Sequence, residues 1–155
     1  MSSEIHAQGV SDASNKASVP KWFWVISILA SVWFLMDMSA FIMRVFMLDE
    51  TLKGMPEAHQ NLYLNMPSWV NIVFALEVFG GMIGSAGLLL RKKWALIGFV
   101  ISLSGTLSQT GYIYFLSDAI NTMGSMAVIM PLVGITICLV LIIVSKFSIS
   151  KHWIG

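Results

Sequence analysis

Four apolar stretches, each long enough to cross a lipid bilayer, constrain this chain more than any other feature. They run over residues 22–47, 69–90, 94–116 and 126–145, and a spanning helix needs ~20 apolar residues. In hydrocarbon every backbone N–H and C=O must be satisfied within the segment, so each stretch predicts a helix. Composition agrees, with 57% hydrophobic and 11% charged residues against ~25% charged in a soluble domain. That balance excludes a soluble enzyme with a watery surface, and it excludes a disordered chain. A net charge of +1 supplies no basic face for nucleic acid. The predicted fold class is all-α: a four-transmembrane-helix bundle in one membrane domain, residues 20–155. A polar, Ser-rich tail, residues 1–19, precedes it and is expected to be mobile. The first stretch follows that tail, exceeds the length of a signal-peptide h-region and lacks an A-x-A site, so it reads as a span.

Charge sets the expected orientation. Lys16, Lys21, Arg91, Lys92, Lys93, Lys146 and Lys151 fall on one side, seven of the nine basic residues. Lys53 and Arg44 fall on the other, with Asp49, Glu50, Glu57 and Asp118. The positive-inside rule then places both termini in the cytoplasm, with Trp22, Trp24, Trp94 and Trp153 at the inner interface and Trp69 and Tyr63 at the outer one. Residues 91–93 can only join two adjacent antiparallel helices. The outer connection, 48–68, is longer. Pro56 suits a helix first turn, and Met55, Ala58, Leu62 and Met66 share one face, which predicts a short amphipathic helix between spans one and two. It is read as a spacer on the membrane surface, or as a lid over the bundle mouth.

Lipid gives helices no hydrophobic reason to associate, so interfaces in membranes use small and polar residues. Each span carries such a row at alternating spacings of four and three. Span two has Glu77, Gly80, Gly84 and Gly87; span three has Gly98, Ser102, Gly105, Gln109 and Tyr112. Span four has Ala127, Pro131, Gly134, Cys138 and Ser145; span one has Ala30, Trp33, Asp37, Ala40 and Arg44. Gly80, Gly84, Gly87, Gly105 and Gly134 are thus the expected packing positions. A homodimer joined through the glycine row of span two or three is a further expectation.

Asp37, Arg44 and Glu77 lie inside apolar spans, where a charge costs ~2.5–3.5 kcal/mol even on the lenient insertion scale. Counted from the outer ends of their helices, Asp37 and Glu77 share a depth. Helical side chains lean toward the N-terminus, so Arg44 and Glu77 lean toward one another and an ion pair is expected between them. Asp37 is expected in a polar pocket with Thr106 and Gln109. Such a trio can merely fix helix pairing, or an unpaired carboxylate can take up a proton or cation during transport. A second candidate is Met43, Met47, Met126 and Met130, near the outer ends of spans one and four, because thioethers suit Cu(I); methionine also serves as plain apolar filler, and no metal or cofactor is assigned. His6, His59 and His152 all lie outside the spans, so haem between helices lacks axial imidazoles. One cysteine cannot make a redox dithiol, and no nucleotide or hydrolase motif occurs. An enzyme is not expected.

One segment carries a likeness. It reads Pro56-Glu57-Ala58, Leu62-Tyr63, Met66-Pro67-Ser68-Trp69, Phe74-Ala75, Phe79-Gly80-Gly81, Gly84 and Leu88-Leu89-Leu90-Arg91-Lys92-Lys93-Trp94-Ala95. This resembles a group of small four-span bacterial inner-membrane proteins without an established activity, often named "sugar transporter". The resemblance covers about two thirds of the chain, spans one to three, and implies a multi-pass protein of the bacterial inner membrane. The sequence reading is therefore a small-solute transporter, proton-coupled through Asp37 and Glu77. The competing reading is a membrane scaffold or accessory subunit that binds a larger membrane partner.

Overall fold

The computed structural model describes residues 18–155; positions 1–17 of the expected mobile tail lie outside the described residues. Seven helices follow in order: α1 (Lys21–Phe46), α2 (Leu48–Lys53), α3 (Glu57–Leu64), α4 (Ser68–Leu89), α5 (Ala95–Phe115), α6 (Ala119–Met123) and α7 (Met126–Ser150). No strand occurs among the described residues. α1, α4, α5 and α7 are long and apolar enough to span a membrane. Their ends match the sequence reading to within one residue, except that α7 continues five residues past the expected 145, to Ser150. The apolar run ends at Lys146, but a lysine stem can lie along the helix while its ammonium reaches water, so the backbone need not stop there. α7 ends instead where Trp153 N–H donates to the Ser148 carbonyl at 2.9 Å and His152 turns to φ 58°.

Proline sets three of the helix starts. Pro20, Pro56 and Pro67 sit immediately before α1, α3 and α4 with φ between −67° and −57°. The ring fixes φ near the helical value and lacks the N–H that a first turn cannot satisfy anyway. Pro56 also divides the outer amphipathic segment into α2 and α3, a break not foreseen from the sequence. The five-residue α6 was likewise not expected; it is closed by Gly124 at φ 62°, a left-handed value suited to glycine. α3 and α6 meet across the top of the bundle, where the His59 ring lies 3.3 Å from the Thr122 carbonyl.

Packing runs α1 on α4, α4 on α5 and α5 on α7. The α4–α5 seam is the tightest, and glycine makes it so. A Cβ on Gly80 would stand 2.9 Å from the Gly98 carbonyl oxygen, one on Gly87 2.8 Å from the Ala95 Cα, and one on Gly105 2.8 Å from the Glu77 nitrogen. Gly80, Gly84, Gly87 and Gly105 therefore act as packing positions, as their spacing indicated. Gly134 does not: a Cβ there would make ordinary contact, 3.5 Å from Thr106. The two glycine rows face each other within one chain, so they are occupied by intrachain packing.

The basic end of the bundle, which carries Lys21, Arg91–Lys93, Lys146 and Lys151, is closed. Phe23, Phe34, Leu88, Phe99, Cys138, Leu141 and Ile154 form its buried core. Trp22, Phe23, Phe147 and Trp153 join α1 to α7 there, Trp22 and Trp153 with ring centroids 5.5 Å apart and Phe23 and Trp153 at 6.3 Å. Arg91 Nε donates to the Trp153 carbonyl at 2.7 Å, and Gly155 N–H donates back to the Arg91 carbonyl at 2.9 Å. Several buried hydroxyls return to carbonyls of their own helix, as Ser27 does to Phe23 at 2.8 Å and Thr106 to Ser102 at 3.0 Å; with no water at hand this satisfies the donor locally.

Candidate binding cavity

At the opposite end the four long helices part around a cavity of about 620 Å³, within the size range of small-molecule sites. Five elements besides α7 line it. α1 contributes Trp33, Asp37 and Arg44; α3 Tyr63, with Met66 from the turn after it; α4 Phe74 and Glu77; α5 Thr106, Gln109 and Tyr112; α6 Met123. All five residues proposed as the polar core, Asp37, Arg44, Glu77, Thr106 and Gln109, thus lie on one wall system. Glycine packing explains part of this. Gly105 lets α5 rest against the Glu77 backbone, which brings Thr106 and Gln109 to the level of that carboxylate. α3 and α6 cover the mouth, so the amphipathic segment contributes Leu62, Tyr63 and Met66 to the cavity rather than merely spacing two spans.

The expected Arg44–Glu77 ion pair is not formed. The single ion pair among the described residues is Lys53–Glu50 at 2.7 Å, exposed on α2. Arg44 instead lies over the Phe74 ring at 5.0 Å and the Tyr63 ring at 5.8 Å, and its Nη2 donates to the Met66 sulfur. Phe74 stands three residues nearer the mouth than Glu77 on the same helix face, closer to the level of Arg44. A planar guanidinium gains from aromatic faces as well as from carboxylates, and three soft partners at the right level replace one carboxylate at the wrong one. The polar pocket expected for Asp37 also differs in detail: Thr106 neighbours Glu77, while Asp37 has Trp33 one turn away on its own helix. Phe74, lying at i−3 from Glu77, was the signal in the sequence that could have predicted where Arg44 goes.

Arg44→Ala and Glu77→Ala are expected to change the stability of the purified protein additively, coupling by less than ~0.5 kcal/mol. Arg44→Ala and Phe74→Ala should be non-additive, and Arg44→Lys should not restore wild-type stability, since lysine lacks the planar fork. Strong coupling in the first cycle would return the ion pair.

The proposed thioether set is divided. Met126 and Met130 line the cavity with Met36, Met66 and Met123, whereas Met43 and Met47 stand half exposed outside it. The cavity does not gather those four sulfurs. Asn71 was not anticipated: its Oδ1 is buried on α4 without a hydrogen-bond partner.

The fold and cavity define an integral, multi-pass membrane protein: a four-span helix bundle with a largely apolar cavity in one half that holds a small polar cluster. No protein-family model, curated protein or solved structure matches the chain. The sugar label carried by the resemblance of residues 56–95 therefore gains no support from relatives.

Proposed function

We propose that this protein is a small-solute transporter whose binding site is the cavity and whose driving reaction is proton exchange at Asp37 and Glu77. One observation carries the reading: two carboxylates border a cavity inside the membrane domain, and neither has a cationic nitrogen within 4.0 Å. A carboxylate kept only to fix helix packing is best paired or fully hydrogen-bonded, because burying it otherwise costs several kcal/mol. An unpaired carboxylate beside a cavity suits a group that is charged in one step of a cycle and neutral in another. The groups nearest the pair are Arg44 from α1 and Thr106 from α5 beside Glu77, and Trp33 from α1 beside Asp37.

The charge distribution supports cytoplasmic placement of the basic end, so the cavity opens away from the cytoplasm. The membrane suggested by the resemblance is the bacterial inner membrane. A sugar fits the walls poorly, since they are mainly apolar, with methionines and aromatic rings among them, and carry one amide, Gln109.

The test is charge movement from purified protein in liposomes under an imposed pH step, read on a solid-supported membrane. The expected result is a current in the wild type that is lost in Glu77→Gln or Asp37→Asn while each variant stays folded. Silence in a well-folded wild type would turn the reading to a membrane scaffold or accessory subunit, and the search to its partner.

A further inference from the structure

The cavity wall has spare buried acceptors. Glu77 Oε2 and Gln109 Oε1 are both fully buried with no hydrogen-bond partner. A third acceptor follows from Pro131, which lies inside α7 and lines the cavity with Ala127. Proline has no N–H, so the Ala127 carbonyl lacks its helical donor four residues on. Several of the donors nearby are already used. Thr106 donates to the Ser102 carbonyl at 3.0 Å and Thr110 to the Thr106 carbonyl at 2.6 Å, and Arg44 is held by Met66 and two aromatic rings. The wall also carries two carboxyl groups against one guanidinium.

Leaving buried acceptors unsatisfied is costly, and the missing complement is a cation rich in N–H groups. The remaining surface sets its other half. Trp33 offers an aromatic face on the same helix as Asp37, and Met36, Met126 and Met130 offer polarizable apolar contact. Those three methionines line the cavity yet are 64%, 57% and 58% exposed. They flank the line between α1 and α7, helices that are joined at the basic end but not packed together around the cavity. An apolar group can therefore reach the site along the lipid side of the bundle.

We infer that the cavity binds a protonated amine with an apolar body, its ammonium held by Glu77, Gln109 and the Ala127 carbonyl and its body by Trp33 and the methionines. This names the solute class of the proposed transporter. It rests on that reading for the movement of the amine, and on the cavity alone for its binding.

The experiment compares three ring-fluorinated probes sharing one apolar body, 4-phenylbutylamine, 4-phenylbutanol and 4-phenylbutyrate. Binding to the full chain in lipid nanodiscs is followed by fluorine NMR, with empty nanodiscs as the blank. The amine should bind about thirtyfold tighter than the alcohol or the carboxylate, the effect of pairing one buried charge. Glu77→Gln should erase the preference for amine over alcohol. Gln109→Leu, a change that removes the second acceptor and keeps both carboxylates, should weaken it in a protein whose melting temperature is checked in parallel. Equal binding of the carboxylate, an amine preference that survives Glu77→Gln, or no binding above the blank overturns the inference. PH-step currents without amine binding would sink the solute class and leave proton-linked transport standing. Amine binding without currents would support the site and count against transport.

Discussion

Gly98→Leu is expected to abolish the folded protein. An added Cβ at Gly98 would lie 2.8 Å from the Gly80 carbonyl oxygen and 2.8 Å from the Gly84 Cα. All of these neighbours are backbone, so no side chain can rotate away and α4 and α5 must separate. Overpacking a well-packed core already costs ~1–3 kcal/mol per substitution, and here the displaced contact is the seam that aligns Glu77 with Thr106 and Gln109. The expected readout is loss of a monodisperse peak on size-exclusion chromatography in detergent, with little protein recovered from the membrane. Gly111→Ala provides the contrast. A Cβ there meets nothing within 4 Å, and alanine is worth up to ~1 kcal/mol over glycine in a helix interior, so this variant should be as stable as the wild type or more so. Comparable behaviour of the two variants would mean that the glycine row does not form the seam.

The same comparison shows what was legible in the sequence. Gly80, Gly84 and Gly87 repeat at spacings of four and three, and that pattern alone marks a helix face made for close approach. It does not say which partner approaches. The partner is α5 of the same chain, brought alongside α4 by a connection of only five residues, 90–94. Span positions were legible because hydropathy and the bilayer thickness leave one solution. The polar core was legible as a set, since each member is costly in lipid and must turn inward. Its pairings were not. Which group satisfies Arg44 depends on differences of one helical turn in level, and on Tyr63 and Met66, delivered by α3 from a connection whose fold over the bundle mouth is not encoded in any periodicity. α6 is too short to give a periodic signal at all.

Phe34→Ala is expected to break the seal between the cavity and the basic end. Phe34 is 1% exposed and fills the space left by the missing side chain of Gly81, with its ring 6.1 Å from that of Phe99. Beneath the cavity these two rings share the buried core with Cys138 and Leu141. A transporter cycle of the kind proposed must open this layer in its other state, and the layer holds no polar side chain of Asp, Glu, Lys or Arg that would admit water at rest. Removing the ring loses little transfer energy in a lipid setting, because lipid is as apolar as the core. The void and the lost contacts remain, and phenylalanine truncations cost 3–5 kcal/mol in soluble cores; with the transfer share removed, ~2–3 kcal/mol is a reasonable size. If reaction at a buried group tracks the population of the open form, that difference corresponds to about a thirty- to 150-fold rise. The chain provides its own reporter, since Cys138 is its one cysteine and is buried. A small methanethiosulfonate reagent should therefore modify Cys138 slowly in the wild type and much faster in Phe34→Ala, while Phe79→Ala, at a residue 48% exposed on the lipid side of α4, should leave the rate unchanged. An unaltered rate in Phe34→Ala, in protein that remains folded, would show that the aromatic layer is not what closes the bundle.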